Sequence, residues 1–158
     1  MRCSLYVSLM FCFVASASAR SQTMAHSGVN TSIYAILKYD AVIDMAMNTK
    51  FYRPKPTTLS SSEVDKMENL VDSCYRAFYK EHPTLRMIEP LSKYRRQYVA
   101  VINGKGQKEV WINFFYSPSI KNWKQRVVVV DDGGTYFFQL QINLSLKKAY
   151  GLIPNGVA

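Results

Sequence analysis

The sequence predicts an α+β domain in which one long helix packs on a curled antiparallel sheet of four to five strands. Three observations carry that prediction. Apolar residues recur every three or four positions from Val64 to Phe78, the stripe of an amphipathic helix. Beyond Tyr94 the apolar period falls to two, the signature of half-buried strands. Turn chemistry punctuates the alternating segments at Asn103-Gly104-Lys105-Gly106, Asp131-Asp132-Gly133-Gly134 and Pro154-Asn155-Gly156.

The chain opens on an address. Arg2 supplies a positive start, Leu5 to Val14 is apolar and uncharged, and Ala17-Ser18-Ala19 fits the small-x-small rule for cleavage. Residues 1–19 therefore read as a secretory signal peptide, and the localisation expected is export, periplasmic or secreted. The apolar run is about ten residues, too short to span a bilayer. Phe11 before Cys12 is a poor match to lipoprotein processing, so plain export is favoured over a lipid anchor at Cys12.

Residues 20–58 read as a partly ordered N-terminal extension. Its first part, 20–32, is polar and without period. Residues 33–47 fit either a helix or a strand, and a strand-like start followed by a short helix is the favoured reading. Arg53-Pro54-Lys55-Pro56 is expected to be extended, because each proline pushes its predecessor out of the helical region.

The helix-plus-sheet domain occupies 59–158. Ser60 and Glu63 have capping-box spacing, and Leu59 with Val64 has that of a hydrophobic staple. Val64, Met67, Leu70, Val71, Cys74, Tyr75 and Phe78 then share one face, with Asp65, Glu68, Asp72, Arg76 and Lys80 mostly on the other. His82-Pro83 stops the helix. Strands follow at Gln97 to Ile102, Val110 to Tyr116, Arg126 to Val130, Thr135 to Leu144 and Ala149 to Ile153. In the fourth, Tyr136, Phe138, Leu140, Ile142 and Leu144 alternate with Gln139, Gln141 and Asn143. A sheet with one apolar face needs a cover, and the helix has the matching stripe.

Composition narrows the chemistry. Cleavage after Ala19 leaves 139 residues, one domain's worth, and removes Arg2 but no acid, so the formal charge falls from +9 to +8. A basic exported chain suits anionic partners: an anionic glycan, a lipid surface or an acidic protein. Nucleic acid is disfavoured by the compartment. Cys3 and Cys12 leave with the leader, and Cys74 alone cannot form an internal disulfide. On the apolar stripe Cys74 reads as a core thiol, inert as a nucleophile. Two His and one remaining Cys do not make a zinc site of familiar spacing. The Asp131 to Gly134 run reads as a turn rather than a calcium loop. No cofactor is expected.

The segments YRRQYVAV at 94–101, EVWINFF at 109–115, DDGGTYFFQLQINL at 131–144 and the ending Asn155 to Ala158 resemble a group of uncharacterised small exported bacterial proteins. The resemblance covers about residues 50–158 and brings no activity with it. It implies a cross-strand Cys pair where Phe114 and Tyr136 stand, and this chain departs at both. The helix-plus-meander order is also similar to cystatin-like folds, including NTF2-like and PepSY-type variants, so the roll expected is cystatin-like. That is analogy of fold.

Acid–base catalysis inside such a cone needs titratable groups facing inward, and residues 136–144 offer only apolar side chains and amides. Gln125-Arg126-Val127-Val128-Val129 starts like the cystatin Gln-x-Val-x-Gly loop but has Val129 in place of Gly, which weakens a protease-inhibitor reading. Basic residues and aromatics interleave at Lys93 to Tyr98 and at Lys121 to Arg126. The function expected is therefore an exported, non-enzymatic binding or interaction module for an anionic ligand. Its candidate residues are Arg95, Arg96, Trp123, Lys124 and Arg126, with Trp123 as a loop anchor available for contact. The alternatives are a small-ligand carrier or enzyme with a pocket between helix and sheet, and a secreted protease inhibitor. An ordinary solvated strand edge, guarded by Lys, is the plain alternative for the basic residues.

Overall fold

The structure, a computed structural model, describes residues 32–48, 50–85 and 90–156. The leader, with Cys3 and Cys12, and also His26, lies outside the described residues. In chain order the elements are β1 (Tyr34–Leu37), α1 (Ala41–Ala46), β2 (Lys55–Thr57), α2 (Ser61–Glu81), β3 (Arg95–Ile102), β4 (Lys108–Phe115), β5 (Phe137–Asn143) and β6 (Lys148–Pro154). The fold is α+β, with one long helix against a six-stranded sheet.

The sheet is mixed, which corrects the expected antiparallel sheet of four to five strands. Strands β3 to β6 form the antiparallel meander, but β1 lies parallel to β3 at Arg96 to Val99. The short β2 pairs antiparallel with the rest of the same β3 edge, at Ala100 to Ile102. The extension thus supplies two strands that seal one edge of the meander, and the favoured reading of 33–47, strand then short helix, matches β1 and α1. Arg53 departs from the expected extended run, with φ 46 in the left-handed region.

Helix α2 begins where the capping box places it. Ser60 Oγ accepts from the Glu63 N–H at 3.3 Å, and Glu63 Oε2 accepts from the Ser60 N–H at 2.9 Å. His82 is its C-cap. Val64, Met67, Val71 and Tyr75 are buried against Tyr98, Ala100, Val110, Ile112, Phe114, Phe138, Leu140 and Ile142 of the sheet. Fully burying side chains of this size stabilises by about 1.5–3 kcal/mol each, so this seam dominates the stability. Phe114 stands opposite Phe138 and stacks on it at 4.3 Å between ring centroids.

The second face of the sheet is covered too. Val99, Val101, Trp111 and Phe115 pack with Ala35, Leu37, Ile43, Met47, Phe51 and Trp123 into a second core. Its cover is α1 together with the chain from Ser117 to Asp132. Here the expected strand at Arg126 to Val130 is not formed. The segment crosses the sheet face instead of joining an edge. A row of side-chain amides holds it there, with Gln97, Asn113 and Gln139 aligned as register partners across β3, β4 and β5. Gln97 Nε2 donates to Trp123 O at 2.5 Å and Arg126 O at 2.7 Å, and its Oε1 accepts from the Val128 N–H at 2.8 Å. Asn113 Nδ2 donates to Val128 O at 2.7 Å and to Gln97 Oε1 at 3.1 Å. Gln139 clamps the other half of the cover. It accepts from Trp111 Nε1 and from the Asn48 N–H, both at 2.9 Å, and donates to Ala46 O at 3.2 Å.

Candidate functional site

Strand β3 separates the expected site residues by its pleat. Arg95 points to the covered outer face and Arg96 to the helix. On the outer side, residues 122–126 form a tight turn. The N–H groups of Gln125 and Arg126 both donate to Asn122 O, at 2.9 and 3.0 Å, and Asn122 takes the left-handed φ of 57 that Asn tolerates. Gln97 pins this turn over the start of β3, so Trp123 and Lys124 come to lie near Arg95.

Trp123 is not an exposed anchor. It is 9% exposed and packs edge-on to Phe115, 5.6 Å between ring centroids. This corrects the expectation of a free loop Trp: its apolar body is worth more in the second core than in water. It serves as a platform. The Arg95 guanidinium sits 5.4 Å from the ring centroid and the Lys124 ammonium 5.3 Å from it. Arg95 also donates to Ser117 O at 3.2 Å, which fixes its reach. Arg126 is exposed at the end of the same turn. Arg95, Lys121 and Arg126 make no salt bridge among the described residues.

Arg96 does not join this group. It is 4% exposed, under α2, with Glu68 Oε2 3.4 Å away and its guanidinium 5.4 Å from the Phe114 ring centroid. Glu68 also accepts from the Tyr98 hydroxyl at 2.5 Å. Burial, and then the charge of Glu68, push that hydroxyl well above the ordinary tyrosine value, so it stays a neutral donor. Arg96, Glu68 and Tyr98 therefore form a structural polar knot in the helix–sheet seam. Cys74 is half-buried on α2 beside the first core, and burial followed by the charge of Glu81 raises its thiol pKa.

Two further features lie at this end of the sheet. Lys121 is exposed in the same cover segment, and Tyr116 and Tyr136 are exposed with ring centroids 5.9 Å apart. Tyr116 and Tyr136 continue the apolar parity of Phe114 and Phe138 past the ends of their strands, which was the available signal. Among the described residues no group of three or more His, Cys, Asp or Glu is placed to hold a metal ion, and no helix is long and apolar enough to cross a membrane. No family model matches the chain, and neither a curated protein nor a solved structure matches it.

Proposed function

We propose that this protein is an exported, non-enzymatic binding module that takes a polyanion, such as an anionic glycan, on the basic rim around Trp123. The observation that carries this reading is the buried Trp123 ring, which both the Arg95 guanidinium and the Lys124 ammonium approach, at 5.4 and 5.3 Å from its centroid, with Arg126 exposed in the same turn. Long basic side chains ordinarily lose rotamer freedom on binding. Two of them are already leaning on one ring here, so less freedom remains to be lost. In this reading the arrangement is a cystatin-like roll with an added cover on its outer face, and the leader sends it out of the cytoplasm.

The test is retention on immobilised heparin across a salt gradient. The wild-type protein is expected to elute late and to move earlier as salt screens the contacts. Arg95→Glu with Lys124→Glu is expected to abolish retention above low salt. Retention that ignores salt, or that survives this double reversal, overturns the proposal.

A further inference from the structure

A second, separate feature lies at the opposite end of the sheet. Helix α2 carries Glu63, Lys66, Leu70 and Ser73 along one side at three- and four-residue steps. They face Lys108 at the start of β4 and Leu144, Ser145 and Lys147 in the β5–β6 turn. Between these walls runs an open groove of about 620 Å³. That is within the usual range of small-molecule sites, about 300–1,000 Å³.

The lining is sorted by chemistry. Leu70 and Leu144 form an apolar floor continuous with the first core. Lys108 is held in place by Glu63 Oε1 at 2.6 Å and Thr58 O at 3.2 Å. That pairing consumes the groove's one carboxylate. Lys66 and Lys147 are exposed, line the groove and make no salt bridge among the described residues. An apolar floor beneath two uncompensated ammonium groups fits a ligand with a tail and one anionic head. No arginine lines the groove, so the charges facing its open side are lysine point charges, which can pair with a single carboxylate without a bidentate fork.

We infer that this groove binds a single-chain anionic amphiphile of the fatty-carboxylate class, its head between Lys66 and Lys147 and its chain on Leu70 and Leu144. The Trp123 rim is at the far end of β3 and β4 and takes no part, so the two sites stand or fall separately.

Laurate, below its micelle-forming concentration, is the probe, titrated calorimetrically into the purified protein. Saturable one-to-one binding is expected, weakening as salt is raised. Neutral dodecyl maltoside is expected to bind at least about tenfold more weakly. Lys66→Glu with Lys147→Glu is expected to weaken laurate by about tenfold or more. Arg95→Glu with Lys124→Glu makes the same change in net charge away from the groove and is expected to leave laurate affinity within about twofold. Methyl NMR of the wild-type protein is expected to show laurate-induced shifts at Leu70 and Leu144, a readout that needs no variant to fold. The inference is overturned by absence of saturable laurate binding, by equal affinity for the maltoside, by methyl shifts elsewhere, or by equal losses in both charge-reversed pairs.

Discussion

Replacing Gln97 by Met tests whether the cover over the outer face hangs on one amide. Gln97 is 0% exposed and uses its whole hydrogen-bonding capacity. It donates to Trp123 O and Arg126 O and accepts from the Val128 N–H and Asn113 Nδ2. Met fills nearly the same volume and makes none of these bonds. If the cover stayed down, four polar groups would be stranded at about 1–3 kcal/mol each. If it lifts, water satisfies them and the loss is the net worth of four hydrogen bonds, about 0.5–1.5 kcal/mol each, plus exposure of Trp123. Lifting is the cheaper response. The expected result is about 3 kcal/mol lost in urea unfolding, dominated by local opening.

Amide hydrogen exchange locates the effect. Protection is expected to fall at 122–130 in Gln97→Met while the backbone of α2, on the other side of the sheet, keeps its rates. Tryptophan emission is expected to shift to the red as Trp123 enters water. Heparin retention is expected to fall although no charge has changed, because Arg95 and Lys124 lose their shared ring. Stability within about 0.5 kcal/mol of wild type, with unchanged exchange at 122–130, refutes the clamp.

The remaining predictions concern the helix side. Arg96→Met is expected to cost about 3 kcal/mol by leaving Glu68 without its cation in the seam, measured by chemical denaturation; a loss below about 1 kcal/mol contradicts the polar knot. Ser60→Ala is expected to cost about 1 kcal/mol through the capping box, with Ser61→Ala as the neutral comparison. Lys108 first, and then the Ser60 N–H, hold the Glu63 carboxyl below its ordinary range. A folded pKa below the unfolded one adds stability above the unfolded value and loses it as pH falls through the folded value, so melting temperature should drop on acidification below the ordinary Glu range. Glu63→Gln is expected to flatten that drop, and parallel pH profiles contradict the assignment. Cys74 is expected to react with a thiol reagent far more slowly than a free cysteine until denaturant is added; a fast native reaction contradicts its raised pKa.

Helix α2 was legible because three local signals agreed: cap, stripe and stop. The meander was legible because alternation and turn residues agreed. The strand-like start at 33–47 was legible as β1, but its parallel pairing with β3 was not, because a strand's partner is a long-range fact, and the three-residue β2 carries too little period to declare a strand. The candidate site was half legible. Trp123 and Lys124 do meet Arg95, but the strand expected from the sequence begins at Gln97, whereas β3 begins at Arg95 and its pleat sends Arg95 and Arg96 to opposite faces.

The cover segment follows from the sheet it lies on. Val127 to Val130 has strand propensity, yet a strand needs an open edge. The edges of β3, β4 and β5 are all taken by neighbours, so this run lies across the face, where its backbone groups must be satisfied by side chains. Gln97, Asn113 and Asn155 meet that demand at Arg126, Val128 and Val130. In sequence Gln97 and Asn113 look like the solvated side of a half-exposed sheet. Trp111 and Phe115 share the face with Asn113, and two large aromatics there are incompatible with a wetted surface. A face that mixes large aromatics with amides in register asks for an irregular cover with backbone to be bonded. The same requirement places the basic turn at 122–126: the amides that satisfy the buried backbone also fix where Arg95, Lys124 and Arg126 meet the solvent.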